Sequence, residues 1–214
     1  MMDMPMTSEA IKSRSIAAMI MAAGEGRRFG GCKPLATVHG TSLVQRMVKQ
    51  VRHLVSHTCV VTGAWHTSIV QAQRDGDLTD VTLIYNPAWK NGLGHSIAAG
   101  VSQLERDFDG ILILLADQVA ITANDIEALI DQFEWNNIAC GYYAGRRGVP
   151  AIFAKNSFQQ LKSLTNDRGA KRLLYSSDVP VSEYNMPEAS VDIDTQKDLE
   201  DWVRIAPAAL YKSV

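Results

Sequence analysis

Ile111-Leu112-Ile113-Leu114-Leu115-Ala116 is an unbroken apolar run that stops at an acid, Asp117. A run without polar alternation marks a strand buried on both faces, the central kind in parallel α/β sheets. Open α/β sheets bind ligands beyond the carboxyl ends of their strands. A carboxylate there is placed to hold a metal, a ribose or a proton, and the rest of the chain decides among them.

Working outward, Ile16 to Ala22 reads as a first buried strand and Ala23 to Lys33 as a glycine-rich loop. Thr41 or Ser42 caps a predicted helix to about Val55, whose Leu43, Val44, Met47, Val48, Val51, Leu54 and Val55 have helical spacing. Thr58–Thr62 and Val81–Tyr85 read as strands, separated by a helix near His66 to Arg74, and Gly92 to Ser96 opens a helix to about Arg106. Past Asp117, a helix is expected from Ala123 to Trp135. Strands Ile138–Ala144 and Ala151–Phe153 follow, joined by a loop from Gly145 to Pro150. The final third predicts helices near Lys155–Ser163 and Arg168–Tyr175, strands near Val181–Tyr184 and Ser190–Ile193, and a last helix after Asp194-Thr195. This alternation predicts an α/β fold, a single-domain, Rossmann-like three-layer α/β/α sandwich with a mostly parallel sheet. The domain is expected over residues 16–205, between a disordered N-terminal arm (1–15) and a C-terminal tail (206–214).

Composition narrows the function classes. The chain has 214 residues, 46% hydrophobic and 21% charged, enough for one full core. A formal net charge of -2 implies no general affinity for nucleic acid or anionic membranes. Cys32, Cys59 and Cys140 are too few and too scattered for a disulfide framework or a zinc site. The polar, Met-rich N-terminus is no signal peptide, and the longest apolar run is far below the ~18 residues of a membrane span. The expectation is a soluble, cytoplasmic protein.

Three phosphate-binding patterns compete for the glycine loop, Ala22-Ala23-Gly24-Glu25-Gly26-Arg27-Arg28-Phe29-Gly30-Gly31-Cys32-Lys33. The dinucleotide fingerprint needs glycine where Phe29 stands and an acid ending the second strand, where Thr62-Gly63 stands. A P-loop started at Gly26 meets Cys32 in place of its lysine, and Lys33 is followed by Pro34 rather than Ser or Thr. The pattern A-A-G-x-G-x-R-x-G-x-x-K matches throughout, at Ala22, Ala23, Gly24, Gly26, Arg28, Gly30 and Lys33. Glycines there let backbone N–H groups approach phosphate closely, and Arg28 and Lys33 are cations of the kind that neutralise its charge.

That loop resembles the opening motif of nucleotidyltransferases built on a glycosyltransferase-A-like sheet, the nucleotide-diphospho-sugar transferase type. Further segments resemble the molybdenum cofactor nucleotidyltransferases, particularly the cytidylyltransferase branch. They are Gly92-Leu93-Gly94-His95-Ser96, Leu115-Ala116-Asp117-Gln118, Asn166-Asp167-Arg168-Gly169-Ala170-Lys171 and Asp192-Ile193-Asp194-Thr195. The resemblance implies transfer of CMP from CTP to the phosphate of molybdopterin, with release of pyrophosphate. It implies that Mg²⁺ is held by Asp117 and Asp194, with Asp192 a weaker candidate. Arg28, Lys33 and Asp117 are implied as the catalytic set. Ala22, Ala23, Gly24, Gly26, Arg28, Lys33, Gly94, Ser96 and Asp117 are implied nucleotide contacts. Arg147, Arg168 and Lys171 are implied acceptor contacts, with Arg146 beside them. The implied partners are CTP and molybdopterin or molybdenum cofactor, with a molybdoenzyme or its chaperone downstream. Ala23 favours the cytidylyl over the guanylyl branch, which tends to read A-G-G. A GTP-dependent relative, a transferase to a sugar or polyol phosphate, and a non-catalytic cofactor carrier are the alternatives.

The chain departs from the family pattern at Val119, His95 and Val149, where proline, serine and histidine are common. His53 and His57, four apart on the expected helix, lack a third ligand for zinc and read as surface residues. Cys32 lies in the loop where local positive charge would lower its pKa. Trp65, Trp89, Trp135 and Trp202 read as packing residues.

Overall fold

The computed structural model describes residues 15–165, 169–176 and 178–207. In chain order its strands are β1 (Ile16–Ala22), β2 (Thr37–Val38), β3 (Thr41–Ser42), β4 (His57–Thr62), β5 (Thr82–Tyr85), β6 (Gly110–Leu115), β7 (Ile138–Tyr143), β8 (Arg146–Ala154) and β9 (Val181–Asn185). The α-helices are α1 (Leu43–Val51), α2 (His66–Arg74), α3 (Leu93–Leu104), α4 (Ala123–Asp131), α5 (Phe158–Lys162) and α6 (Gln196–Ile205). Seven strands make one sheet in the order β5-β4-β1-β6-β8-β7-β9, and β2 and β3 form a small separate ribbon. In the large sheet, β8 alone runs against its neighbours β6 and β7; the other pairings are parallel.

The apolar run folds as expected. From Ile111 to Leu114 β6 is buried, and β1 is buried along its whole length. Alternate residues feed opposite layers. Ala18, Ile20, Leu112 and Leu114 pack with Val44, Met47 and Val48 of α1, Ile69 of α2 and Ile126 and Leu129 of α4. Ala17, Met19, Ile111 and Ile113 pack with Ile97, Val101 and Leu104 of α3 and Phe158 and Leu161 of α5. The result is the expected α/β/α sandwich around a mostly parallel sheet.

Ser42 caps α1, its side chain accepting from the Gln45 amide at 3.3 Å. The helix stops at Val51, short of the expected Val55. His57 therefore lies in β4 rather than on a helix face with His53, and its Nε2 meets Thr82 Oγ1 at 2.8 Å. Helix α4 likewise ends at Asp131, and Trp135 lies beyond it with a φ of 63°. The loop expected at Gly145–Pro150 is strand instead: β7 and β8 join through Ala144-Gly145 alone, at φ 48° and 72°. Two consecutive positive-φ residues make the tight turn whose twist suits a hairpin. Ser190–Ile193 makes no strand. Its one pairing is a bridge between Asp192 and Gln118, following a short 3-10 turn at Pro187–Ser190. The expected helix at 168–175 is 3-10 from Gly169 to Tyr175, and Arg168 lies outside the described residues.

Candidate functional site

Asp117 follows β6, where the middle of the sheet opens. Its backbone carbonyl accepts from the Ile193 amide at 3.1 Å, which draws the Asp192–Asp194 segment alongside it. Thr195 caps α6 in a reciprocal capping box with Asp198, so Asp194 is not needed as a cap. The Thr195 hydroxyl, then the Thr195 and Asp194 amides, hold the Asp198 carboxyl below its usual range. Asp194 is left to face the glycine loop.

Two cations from that loop meet the two acids. Lys33 Nζ lies 2.5 Å from Asp117 Oδ2 and 3.6 Å from Asp194 Oδ1, and donates to the Ile193 carbonyl at 2.8 Å. Arg28 Nη1 lies 2.7 Å from Asp194 Oδ2, with the guanidinium largely exposed. The second oxygen of Asp117, Oδ1, is buried and finds no hydrogen-bond partner among the described residues. Asp192 stands beside them. Burial first, then the Asp194 and Asp117 carboxylates, push its carboxyl above the ordinary range.

The cleft over the carboxyl edge of the sheet has two lobes that share Met21, Leu93 and Leu115. The polar lobe, about 510 Å³, is walled by Ala23, Gly24, Glu25, Gly26 and Arg27 of the loop, Trp89, Lys90, Gly92 and Ser96 opposite, and Asp117 at its edge. Gly26 has a φ of 68°, and a Cβ there would lie 2.9 Å from the Gly31 carbonyl oxygen, so the loop needs glycine at this position. Gly63 supports the opposite wall: a Cβ would lie 2.5 Å from the Ala23 carbonyl oxygen and 2.6 Å from Trp89 Cβ. The other lobe, about 270 Å³, has a floor of Ile97, Ile113 and Leu115, with Tyr143, Arg146, Arg147, Gly169 and Lys171 around it.

Of the residues predicted from sequence, Ala23, Gly24, Gly26, Ser96 and Asp117 line the polar lobe together. Lys33, Arg28 and Asp194 gather at Asp117. Ala22 and Gly94 are buried and do not line the cleft; Gly92, at φ 102°, takes the place expected of Gly94. Lys171 and Arg146 border the apolar lobe as exposed cations. Arg147 is already engaged: its guanidinium pairs with Glu183 at 2.6 Å, donates to the Leu174 carbonyl at 2.6 Å, and lies over the Tyr175 ring. Cys32 departs from expectation. Burial pushes its thiol up, outweighing a hydrogen bond from the Leu35 backbone.

Several contributors had no signal in the sequence. Arg46 is fully buried on α1 and donates to the carbonyls of Gln118 and Ile121, holding the loop that follows Asp117. Gln118 Nε2 donates to the Val149 and Ala189 carbonyls at 2.8 and 2.9 Å, tying that loop to β8 and the 187–190 turn. Trp89 was read as packing and lines the cleft; its proximity to Gly92 was the one available clue.

A phosphate-suited glycine loop with two carboxylates at the carboxyl edge of this sheet defines a nucleotidyltransferase of the nucleotide-diphospho-sugar transferase fold. Within that class the chain belongs to the family described as the MobA-like NTP transferase domain, whose model matches residues 18–181. Among curated proteins it is 28% identical to purine catabolism protein PucB of Bacillus subtilis (strain 168), over 92% of this chain and 99% of that one. Among solved structures it resembles Rv0371c of Mycobacterium tuberculosis in complex with manganese, at TM-score 0.71 and 23% identity, covering 90% of this chain and 100% of that one. It also resembles molybdopterin-guanine dinucleotide biosynthesis protein A of Archaeoglobus fulgidus, at TM-score 0.65 and 17% identity, covering 88% and 97%.

Proposed function

We propose that the protein transfers CMP from CTP to the phosphate of molybdopterin or molybdenum cofactor and releases pyrophosphate. The observation that carries this reading is the two-lobed cleft. One lobe joins a triphosphate-suited loop to paired acids. The other offers an apolar floor with Arg146 and Lys171 at its border, suited to a planar heterocycle carrying a phosphate. The family membership supports nucleotidyl transfer, and the molybdopterin-related structural relative and the purine-catabolism relative support a molybdenum-cofactor-related acceptor, while the choice of CTP rests on Ala23.

In this reading the loop amides around Gly24 and Gly26 bind the triphosphate, and Arg28 and Lys33 turn from the acids toward its oxygens. Arg146 and Lys171 hold the acceptor phosphate. An acceptor phosphate oxygen forms the new bond to the α-phosphorus. The bond from that phosphorus to the β-phosphate bridging oxygen breaks, and its electron pair leaves with pyrophosphate. The acceptor is already ionised at neutral pH, so no side chain has to remove a proton. Positioning and charge neutralisation supply the catalysis.

The acids fit a hard divalent cation such as Mg²⁺. Asp117 Oδ1 is buried and lacks a protein partner among the described residues, and Asp194 lies within reach of the same lysine. Asp117 and Asp194 would hold the ion, with phosphate oxygens as further ligands. Bound there, it would offset negative charge on the triphosphate and the leaving group.

A thermal-shift panel of CTP, GTP, UTP and ATP with Mg²⁺ tests the nucleotide half. A ligand at 100 times its Kd adds about 2.7 kcal/mol, roughly 5–10 °C for a chain of this size. A shift with CTP alone is expected. A shift with GTP alone would overturn the base assignment and keep the reaction class.

A further inference from the structure

Ser96 lies in the first turns of α3 and lines the polar lobe, and Asn86 touches it from below. Both are buried, at 1% and 3% exposure. The Ala88 amide donates to Asn86 Oδ1 at 3.0 Å, which fixes which end of that side-chain amide is oxygen. The other end, Nδ2, donates to Ser96 Oγ at 3.0 Å. The Ser96 hydroxyl is thus an acceptor toward the protein, and its proton has to go elsewhere.

The same helix displays the usual alternative. Ser102 sends its hydroxyl proton to the carbonyl of Ala98, four residues back, at 2.8 Å. Ser96 makes no such bond. The corresponding carbonyl, that of Gly92, accepts the Ser96 backbone amide at 3.4 Å. Among the described residues no protein group receives the Ser96 hydroxyl proton, and the remaining direction is the cleft. A buried donor without an acceptor is costly, so this arrangement favours a ligand that brings one.

We propose that Asn86 is a positioning residue that fixes Ser96 as a hydrogen-bond donor into the cleft, so that Ser96 reads a ring carbonyl oxygen of the nucleotide base. An exocyclic amine at that place would set donor against donor and is rejected. The polarity is imposed from two residues' distance by the Asn86-Pro87-Ala88 turn, which locks the amide of Asn86. Asn86→Asp is the inverting substitution. A carboxylate keeps the bond from Ala88 but can only accept, so the hydroxyl proton turns inward and lone pairs face the cleft.

The inference takes its first probe from the CTP reading. Titration calorimetry at pH 8 with Mg²⁺ compares CTP with 2-thio-CTP on the wild type, Ser96→Ala, Asn86→Asp and Asn86→Ala. Asn86→Ala removes the donor without adding charge. Sulfur at C2 accepts hydrogen bonds weakly, so the wild type is expected to bind 2-thio-CTP about tenfold more weakly than CTP. That penalty is expected to shrink below about twofold in all three variants. A penalty that persists undiminished in a folded Asn86 variant overturns the inference and leaves the CTP reading intact. If the wild type binds GTP instead, the same cycle with 6-thio-GTP decides the inference, and only the base assignment falls. Binding of no nucleotide overturns both.

Discussion

Lys33 is the residue on which the site turns, because its ammonium group holds Asp117 and approaches Asp194 at once. The types of these residues were legible in the sequence: a loop lysine, and acids after an apolar strand and before a capped helix. Their mutual pairing was not, since Lys33 lies 84 residues from Asp117 and 160 from Ile193, the neighbour of Asp194. Arg147 is the reverse case. It is implied as an acceptor contact, and Glu183, 36 residues away, already pairs with it. Asp117→Asn preserves the shape of the side chain and removes its charge. It is expected to lower kcat at least ~10³-fold, the scale of losing a preorganised electrostatic group, with the melting temperature within a few degrees of wild type. Pyrophosphate release measures the first and thermal unfolding the second; retained turnover would remove Asp117 from the reaction.

The thiols supply a prediction in pH. Burial pushes Cys59 up to about 12 and Cys140 up to about 11, from an ordinary value of 9.0. A raised folded-state pKa means that the fold favours the protonated thiol. That contribution is fully present below about pH 9 and is lost as pH rises through 11 to 12. A thiol reagent at pH 8 is expected to modify Cys32 alone in the native protein and all three cysteines after denaturation. Stability should fall steeply in strong alkali. Rapid native modification of Cys59 would contradict the burial of β4.

At the scale of elements, the buried strands and the capped helices were the most legible. Runs such as Ile16–Ala22 and Ile111–Leu114 have one physical use, and Ser42 and Thr195 cap helices where their side chains can reach orphan amides. The hairpin of β7 and β8 was not. Its turn, Ala144-Gly145, has no Asn-Gly or Asp-Gly signature, and Arg146 to Pro150 carries glycine and proline that suggest loop. Sheet pairing overrides that local preference, with Gln118 and Tyr143 both donating to the Val149 carbonyl. Ser190–Ile193 failed for a related reason: it makes an isolated bridge at Asp192 and Gln118 instead of a ladder, so the segment serves to deliver Asp194 rather than to extend the sheet. Thr195→Ala removes the hydroxyl that accepts from the Asp198 amide at 3.2 Å. It is expected to cost about 1 kcal/mol in chemical denaturation. It should also weaken nucleotide binding, because α6 fixes Asp194. A loss of stability with unchanged nucleotide affinity would uncouple the cap from the site.

At the scale of the whole molecule, the layered α/β/α architecture followed from the alternation of elements. The cleft did not, because its walls come from segments spread between Met21 and Leu174. Motif types located the triphosphate side. The apolar floor of the other lobe is made of ordinary aliphatic residues that no pattern distinguishes from core. No helix among the described residues is long and apolar enough to cross a membrane. The reaction itself is best tested by incubating the protein with CTP, Mg²⁺ and molybdopterin, and following pyrophosphate together with the mass of the pterin product. The expected result is stoichiometric pyrophosphate release and a pterin that has gained one CMP, both absent with Asp117→Asn. A pterin that stays unmodified with every nucleoside triphosphate, yet is bound and handed intact to a molybdoenzyme, would contradict a transferase and make the protein a carrier.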